Sequence, residues 1–228
     1  MTTAIIITTL NEITGVKKIV PQINKKWAEE IIFVDGGSTD GTIEEAKKMG
    51  FKVVMQKQKG EFAGGHGAAV LEGVDATTSD NIILFGPDGN DEPKKIPELI
   101  EKIKEGYDQV LVTRFGKGSV NLDAGIIDTF GNKMFAFLGN VFFGGHWTDT
   151  LNESRIISRN AFNELRFDAM GMSSTQQMSI RGLKRRQKIC EIIGNEGKRI
   201  GGKRKMRPIA TGVSLSWGII KEFIFWNR

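Results

Sequence analysis

The chain has little of the residue types that build disulfides and thiolate or imidazole metal sites. Among its 228 residues there are one cysteine, Cys190, and two histidines, His66 and His146. A single cysteine excludes an internal disulfide and a zinc site of several thiolates, and two histidines disfavour a metal site built on imidazole. Nothing after Met1 resembles a secretory leader. We therefore expect a reducing, cytoplasmic location.

Long apolar runs and several common phosphate-binding motifs are also missing. No uninterrupted apolar run reaches the roughly 20 residues that a membrane-spanning helix requires, which leaves attachment to a membrane surface open. The first predicted strand is followed by Thr9-Leu10-Asn11-Glu12 instead of a glycine-rich turn, which argues against a dinucleotide-binding domain. No lysine follows a glycine loop in the manner of a phosphate loop, and the chain has no nucleophile elbow.

The positive charge of the chain is concentrated in one segment. The net charge is +5, and residues 181–207 carry eleven lysines and arginines against two acids, Glu191 and Glu196. Such a segment favours an anionic partner. The phosphates of a small ligand, anionic lipid headgroups and nucleic acid satisfy it equally well on charge. A solvated basic face without a partner is the alternative.

Segments that suit strands alternate with segments that suit helices through the first half of the chain. The predicted strands are 4–9, 31–34, 51–55, 81–85 and 109–113. Most are followed by a polar or glycine-rich turn and an amphipathic helical pattern, the first of which extends to Ile23. This alternation predicts an α/β fold with a mostly parallel sheet and helices on both faces.

Two acids, Asp35 and Asp88, follow the ends of predicted strands. The carboxyl ends of parallel strands meet at one edge of a sheet, where open α/β sheets bind ligands. We therefore interpret both acids as ligand contacts in preference to simple turn caps. The helix after Asp35 is predicted to begin with a capping box, in which Thr42 and Glu45 satisfy free backbone amides reciprocally.

The second half of the chain contains two strongly apolar segments. Residues 124–143 carry too many apolar side chains for one narrow helical stripe, so this segment is predicted to be deeply buried or to face lipid. The tail from Val213 to Arg228 combines tryptophans with lysine and arginine, as interfacial helices do. Packing on the domain or in a dimer is an equal alternative. We predict a domain over 1–210 and an amphipathic, membrane-interfacial candidate segment over 211–228.

Five sequence blocks resemble the family 2 glycosyltransferases of the GT-A fold, and among them the dolichol-phosphate mannose synthase-like group. The blocks are residues 8–12, 34–42, 65–69, 87–90 and 149–155, and they occur in the family's order. The second block, Val34-Asp35-Gly36-Gly37-Ser38-Thr39-Asp40-Gly41-Thr42, is the most specific. The resemblance implies a GT-A fold, which is a Rossmann-like, mostly parallel sheet flanked by helices, here with a C-terminal amphipathic extension.

The resemblance assigns residues to the binding of a nucleotide-diphosphate sugar. The residues that it implies for the nucleotide are Thr9, Glu12, Asp35 and Gly67. Asp35 would accept hydrogen bonds from N–H groups of the base. The basic residues that it implies for the donor and acceptor phosphates are Arg114, Arg155, Arg199 and Lys205. Cations at these positions would stabilise the charge that develops on the leaving diphosphate.

The resemblance also implies a divalent metal, Mg²⁺ or Mn²⁺. Asp88 matches the second acid of the family's D-x-D motif, and Asn90 and Asp91 are candidates for further oxygen ligands. Gly86 stands at the place of the first acid, so one charged ligand is lost. The metal requirement is therefore in question, and Asp91 is a candidate to compensate.

The implied catalytic residues are Asp88, Asp149 and Arg155. If the acceptor is a hydroxyl group, it needs a general base, and Asp149 is the candidate. The alternative for Asp149 is an acid that binds backbone amides in its own loop. Two further departures from the family concern the acceptor side. Residues 123–128 lack the arginine that usually grips a lipid phosphate, and Ser154 stands where an aromatic residue is common.

We therefore predict an inverting glycosyltransferase that moves a sugar from a nucleotide-diphosphate donor to a polyprenyl phosphate at the cytoplasmic face of a membrane. Transfer to a saccharide hydroxyl is the alternative acceptor reaction. A sugar nucleotidyltransferase is disfavoured because no glycine-rich basic loop follows the first strand. A non-catalytic, basic membrane- or RNA-binding module would leave Asp35 and Asp88 unexplained, and we expect no nucleic-acid partner. The sequence indicates no oligomeric state.

Overall fold

The computed structural model describes residues 1–57, 65–202 and 208–225. Seven strands in these residues form one sheet. They are β1 (Thr3–Thr9), β2 (Glu30–Asp35), β3 (Lys52–Met55), β4 (Asn81–Phe85), β5 (Gln109–Thr113), β6 (Arg155–Ser158) and β7 (Ile189–Ile193). Their order across the sheet is β3-β2-β1-β4-β6-β5-β7. The five strands predicted in the first half of the chain are all present.

One strand of the sheet runs against the others. β6 pairs antiparallel with both β4 and β5, whereas the remaining pairs are parallel, which confirms the predicted mostly parallel sheet. Leu84 of β4 pairs with Arg155 of β6. Because β6 is reversed, it begins at the sheet edge where β4 and β5 end. Residues just before β6 therefore lie beside residues just after β4.

Helices cover both faces of the sheet. The α-helices in the described residues are α1 (Ile13–Lys18), α2 (Thr42–Lys48), α3 (His66–Asp75), α4 (Ile96–Lys104), α5 (Ile126–Phe143), α6 (Arg159–Glu164), α7 (Ser174–Lys184) and α8 (Pro208–Ile224). Side chains alternate between faces along a strand. Ile5 and Ile7 accordingly pack with α1, α2 and α4, while Ile6 packs with α3, α6 and α7. Both faces are buried, which explains why the central strands are continuous apolar runs.

The two long apolar helices form a separate core beside the sheet. Phe135 of α5 packs with Leu215 and Ile219 of α8, together with Trp147 and Ile180. α8 contacts both α5 and α7. The domain boundary that was predicted at residue 210 therefore falls inside a helix that is packed on the rest of the structure.

Both helices also carry an exposed apolar face. Ile126 and Phe130 of α5 and Ile209, Trp217 and Phe223 of α8 are all exposed. One stripe of each helix is therefore buried, as the packing alternatives predict, and the opposite stripe meets solvent, while contact of these segments with lipid stays a prediction. Within the described ranges, no helix combines the length and the apolar character needed to cross a membrane.

Two local predictions were wrong. The first helix ends at Lys18, and a short 3-10 turn follows at Val20–Gln22. Pro21 lies in that turn, and proline has no amide hydrogen with which to continue an α-helix.

The capping box at the start of α2 does not form. The residue before the helix is Gly41, which has a positive φ of 94°, so Thr42 is the first helical residue and not the cap. The hydroxyl group of Thr42 donates to Asp40 and accepts from the amide of Glu12. The Asp40 carboxylate accepts from the Thr42 amide and thereby satisfies this end of the helix.

Candidate active site

A cavity of about 860 Å³ opens at the edge where β1 and β4 end. Its polar end is lined by Thr8, Thr9, Glu12, His66, Asp88, Asn90, Asp91, Arg114, Glu153 and Arg199. Its apolar end lies between α5 and α8 and is lined by Ile127, Phe130, Met134, Phe135, Ile209, Val213, Leu215, Trp217 and Ile220. One cavity thus joins a charged region at the sheet edge to a hydrophobic region that borders exposed apolar side chains.

A single guanidinium group bridges two acids at the polar end. Arg199 donates to Asp88 across 2.6 Å, and it also pairs with Glu12. The chain places these groups together because Glu12 follows β1, Asp88 follows β4, and Arg199 comes from the loop after β7. Burial raises the pKa of Asp88, although the charge of Arg199 opposes this change. Because Arg199 also lines the cavity, an anionic ligand at the polar end would contact its guanidinium group.

Three carboxylates lie close together beside this bridge. They belong to Asp88, Asp91 and Glu153, and they surround Gly86. Burial, together with the charges of Asp88 and Glu153, raises the pKa of Asp91 well above its ordinary value. Burial would also raise the pKa of Glu153, but the neighbouring His66 lowers it. Carboxylates concentrated in this way favour a cation over an additional acid.

Histidine and threonine side chains position Glu153. The Nε2 atom of His66 lies 3.1 Å from Oε1 of Glu153, and the hydroxyl of Thr8 donates to the same oxygen across 2.7 Å. The other ring nitrogen of His66, Nδ1, lies 2.6 Å from the hydroxyl of Ser174. His66 thereby forms part of the cavity wall.

The predicted general base, Asp149, does not line the cavity, and its role as a base stays a prediction that the structure does not support. Its side chain is fully buried and pairs with Arg114 across 2.7 Å. It also accepts from Asn132 and from the backbone amides of Leu151 and Asn152. A carboxylate enclosed by these donors does not reach an acceptor hydroxyl. The alternative stated for Asp149, an acid that binds amides of its own loop, describes the structure.

Arg114 lies between this buried acid and the cavity. Its guanidinium group pairs with Asp149 and, across 2.8 Å, with Glu196, and the side chain also lines the cavity. The two acids raise the pKa of Arg114 against the effect of burial. Contact of Arg114 with a phosphate stays a prediction.

Arg155 was assigned to catalysis and to phosphate binding, and both roles stay predictions that its position does not support. The side chain is fully buried and is not part of the cavity lining. Its guanidinium group donates to the hydroxyl of Ser179 and the carbonyl of Asn152. Burial lowers the pKa of Arg155 to about 10. Because Arg155 begins the reversed strand β6, it supports the loop that carries Glu153.

Two of the four predicted nucleotide residues line the cavity, namely Thr9 and Glu12. Asp35 is buried at the end of β2 and accepts from Thr9, from the amides of Gly37 and Ser38, and from the Ser38 hydroxyl. These bonds give Asp35 the turn-capping role that was set against a ligand contact. Its contact with a base stays a prediction.

Gly67, the fourth predicted nucleotide residue, has a packing role in the structure. A Cβ atom at this position would overlap the backbone carbonyl of Ala169, and the next residue, Ala68, donates its amide to the carbonyl of Met170. The glycine thus lets α3 approach a neighbouring backbone. Gly67 is buried there and does not line the cavity, so its contact with a nucleotide stays a prediction that the structure does not support.

The predicted metal ligands Asp88, Asn90 and Asp91 all line the cavity. The amide side chain of Asn90 donates to the carbonyl of Gly197, and its backbone amide donates to Asp88. In the positions they occupy, no three acidic, histidine or cysteine side chains of the described ranges are close enough to hold an ion. Lys205 lies outside the described residues, so its predicted phosphate contact is not addressed.

Sequence reasoning missed Glu153 and His66 as cavity residues. Both fall within blocks that carried the family resemblance, 65–69 and 149–155. The signal in those blocks pointed to Gly67, Asp149 and Arg155, which are the buried supports. The side chains that line the cavity are His66, which precedes Gly67, and Glu153, which lies two residues before Arg155.

Comparison of the sequence with known families identifies the class of protein. The model of glycosyl transferase family 2 matches residues 4–166, which include six of the seven strands. The chain belongs to this family of glycosyltransferases. The matched segment contains Glu12, Asp88, Asp91 and Glu153, and Arg199 lies beyond it.

Individual relatives are similar at a lower level. A dolichyl-phosphate hexose transferase of Haloferax volcanii is 27% identical over 221 residues, which are 96% of this chain and 92% of that protein. The glycosyltransferase AglJ of the same organism is 27% identical over 181 residues, which are 78% of this chain but 57% of AglJ. A dolichol-phosphate mannosyltransferase of Pyrococcus furiosus is 30% identical, over 52% of this chain and 34% of that protein. The chain thus spans just over half of AglJ and about a third of the mannosyltransferase.

Solved structures show the same fold. Glucosyl-3-phosphoglycerate synthase of Mycobacterium tuberculosis, crystallised with Mn²⁺, uridine diphosphate and phosphoglyceric acid, superimposes with a TM-score of 0.76 at 20% identity. The match covers all of this chain and 80% of the synthase chain. The same synthase with phosphoglyceric acid alone gives a TM-score of 0.77. The predicted GT-A fold is therefore confirmed.

Proposed function

We propose that the protein transfers a hexosyl group from a nucleoside diphosphate sugar to a polyprenyl phosphate, with inversion at the anomeric carbon, while it is bound to a membrane surface. The observation that carries this proposal is the two-part cavity. Its polar end suits a charged donor, and its apolar end leads to the exposed apolar faces of α5 and α8. The match to a dolichyl-phosphate hexose transferase, which covers 92% of that protein, supports the same acceptor class.

The polar end provides groups for the donor. Thr9 and Glu12 line the part of the cavity next to β1, where hydroxyl and carboxylate oxygens can accept hydrogen bonds from a nucleoside. Arg199 is held nearby and supplies a positive charge for the diphosphate. Charge that develops on the leaving group is stabilised best by such preorganised donors in a partly buried site. Arg114 and Lys205 are the further cations that we assign to phosphates.

A divalent cation fits the donor set of this region. The fit rests on the cluster of carboxylate oxygens around Gly86, since Mg²⁺ and Mn²⁺ prefer hard oxygen ligands. We assign Asp88 and Asp91 as its ligands, with Asn90 as a further candidate. When bound, the cation neutralises charge on the diphosphate.

The apolar end favours a lipid acceptor over a saccharide. Ile127, Phe130, Val213 and Ile220 line it, and these side chains offer no hydrogen bonds to sugar hydroxyl groups. The phosphate of a lipid acceptor is already an anion, so its oxygen can attack the anomeric carbon without a strong base. In that step the bond from the anomeric carbon to the acceptor oxygen forms, and the nucleoside diphosphate leaves with the electron pair of the broken bond. The burial of Asp149 agrees with this reaction.

The exposed faces of α5 and α8 would bring the cavity to the lipid. Ile126 and Ile209 are 91% and 86% exposed, which is unusual for isoleucine in a folded protein. Insertion of such side chains into the interfacial region of a bilayer would cover them and place the apolar end of the cavity near the prenyl chains. We therefore propose peripheral attachment to the cytoplasmic face of a membrane.

The acceptor is tested by transfer of radiolabelled sugar. The protein is incubated with labelled UDP- or GDP-hexoses and Mg²⁺ or Mn²⁺, together with liposomes that contain dolichyl or undecaprenyl phosphate. We expect label in the lipid extract with one donor and none when the polyprenyl phosphate is omitted. Label that appears only on an added oligosaccharide would contradict the lipid acceptor and support the saccharide alternative.

Membrane attachment is tested separately by flotation with liposomes. The double variant Ile126→Ser/Ile209→Ser should lower the partition coefficient at least about tenfold, because each isoleucine contributes about 1.5–3 kcal/mol when fully buried and a partial share in an interface. The matched control is Met55→Ser, which removes an exposed apolar side chain from β3, on a different element. Equal partitioning of the double variant and the wild type would contradict attachment through α5 and α8.

A further inference from the structure

The reversed strand β6 places a glutamate opposite the glycine that replaces the first acid of D-x-D. Leu84 pairs with Arg155 in the antiparallel ladder. Continued by two residues, this register sets Gly86 directly across from Glu153. Residues that face each other in this way have Cβ atoms about 4.5–5.5 Å apart and point to the same face of the sheet.

The atomic positions agree with this count. A Cβ atom placed on Gly86 would lie 3.5 Å from Oε2 of Glu153, 3.6 Å from Oδ2 of Asp91 and 3.8 Å from Oδ1 of Asp88. The space in front of Gly86 is therefore enclosed by three carboxylate oxygens. Glu153 reaches it from the loop that leads into β6, whereas Asp88 and Asp91 come from the loop after β4.

We propose that Glu153 supplies, from the segment that leads into β6, the carboxylate that Gly86 lacks, and that Glu153, Asp88 and Asp91 together bind the divalent cation. The proposal rests on the proposed function, in which a cation neutralises the donor diphosphate. It deepens that function because it names a ligand outside the D-x-D positions. The carboxylate then comes from the segment before β6 instead of the segment after β4, at the same place in the site.

Steric and electrostatic arguments explain why the two positions are coupled. Like charges directly opposite each other in a sheet are destabilising. An aspartate at position 86 would add a fourth carboxylate next to the three that already surround this point. Glycine at 86 therefore suits glutamate at 153, and an acid at 86 would suit a residue without charge at 153.

Each oxygen of Glu153 has a separate environment. Oε1 accepts from Thr8 and lies near His66, while Oε2 faces the space in front of Gly86. The side chain is thus anchored through one oxygen and presents the other. Metal–oxygen bonds of about 2.0–2.6 Å require the three carboxylates to move inward by roughly 1–2 Å around the ion. Asp88 faces this space through Oδ1, whereas Arg199 binds its other oxygen, Oδ2, so the ion pair with Arg199 leaves Oδ1 directed at the space in front of Gly86.

The proposal is tested by titration of the purified protein with Mn²⁺ alone, with free Mn²⁺ followed by electron paramagnetic resonance. Glu153→Gln keeps the shape of the side chain and removes its charge, and it should weaken Mn²⁺ binding at least tenfold. Glu44→Gln, an exposed acid on α2, is the matched control and should bind like the wild type. Wild-type affinity in Glu153→Gln, or no Mn²⁺ binding by the wild type at millimolar concentrations, would overturn the proposal.

A second experiment moves the carboxylate from position 153 to position 86, and it remains decisive if Glu153→Gln does not fold. Glu153→Gly should lose Mn²⁺ affinity, and Gly86→Asp added to it should restore the affinity to within about threefold of wild type. If the double variant binds Mn²⁺ no more tightly than Glu153→Gly, the proposal that Glu153 replaces an acid at position 86 is overturned. Mn²⁺ binding is measured without donor or acceptor, so it is independent of the transfer assay. If the variants change Mn²⁺ affinity as expected but no sugar is transferred to polyprenyl phosphate, the proposed acceptor is refuted and the three metal ligands are still supported.

Discussion

The variant Asp149→Asn is expected to lose a large part of the stability of the protein. Asp149 has no exposed surface, and it holds Arg114 across 2.7 Å while it accepts from Asn132 and two backbone amides. Asparagine keeps the size of the side chain but presents no charge to a mostly buried guanidinium group. Breaking a buried pair by removing one partner costs about 3–5 kcal/mol, and because Arg114 keeps its pair with Glu196 we expect the free energy of unfolding to fall by the lower end of that range at pH 7.

The loss should depend on pH in a defined direction. Burial alone would raise the pKa of Asp149, but the charge of Arg114 and the hydrogen bonds that Asp149 accepts lower it below its ordinary value. A carboxyl group with a depressed folded pKa contributes stability above its unfolded pKa, and that contribution disappears as the pH falls through the folded pKa. The difference between wild type and variant should therefore be full at neutral pH and shrink below about pH 4.

The measurement is urea denaturation followed by tryptophan fluorescence at several pH values. The matched control is Asp75→Asn, which replaces an exposed aspartate at the end of α3 and should change the unfolding free energy by about 0.5 kcal/mol or less. If Asp149→Asn unfolds like the control and loses only turnover, the structural role assigned to this acid is wrong and the general-base hypothesis regains support.

Two further substitutions test the packing around the site. Gly67→Ala should lower the unfolding free energy by about 1–3 kcal/mol because its Cβ meets the backbone of Ala169, whereas Gly131→Ala, in open space on α5, should be neutral or stabilising by up to about 1 kcal/mol. An unchanged unfolding free energy in Gly67→Ala would contradict the close approach. Glu222→Gln should lower the unfolding free energy by about 3–5 kcal/mol, since it removes the charge of a buried carboxylate 2.8 Å from the buried Arg181. A change below about 1 kcal/mol in the same urea series would show that α8 is held by its apolar contacts.

The sequence predicts the fold well where the signals are local. Apolar runs mark β1, β2, β4 and β5, and the turn after β2 is rich in glycine and hydroxyl side chains. The alternation of strands and helices then leads to a parallel sheet. The direction of β6 has no such local signal, because a four-residue strand reads the same whichever neighbours it pairs with. Its reversal depends on the whole path of the chain between Thr113 and Arg155.

The site was predictable only in part for a related reason. Glu12, Asp88, Asp91 and Arg199 were assigned from their motifs, and all four line the cavity. Asp149 and Arg155 were also assigned from a motif but are buried. A motif records that a charged residue is needed at a position. It does not record whether the charge faces a ligand or a buried partner, since that depends on tertiary packing.

The reversed strand β6 explains both why Arg155 is buried and why Glu153 reaches the cavity. The antiparallel register that encloses Arg155 is the same one that brings Glu153 opposite Gly86. Along the sequence, Gly86 reads as the loss of a metal ligand, because the motif is defined by neighbours in the chain. Across the sheet, the nearest oxygens to that position include one from a residue 67 positions away. Whether a glycosyltransferase with an incomplete D-x-D motif has lost its metal must therefore be decided from the residues that face the motif across the sheet, and in this protein the segment that leads into β6 presents a carboxylate there.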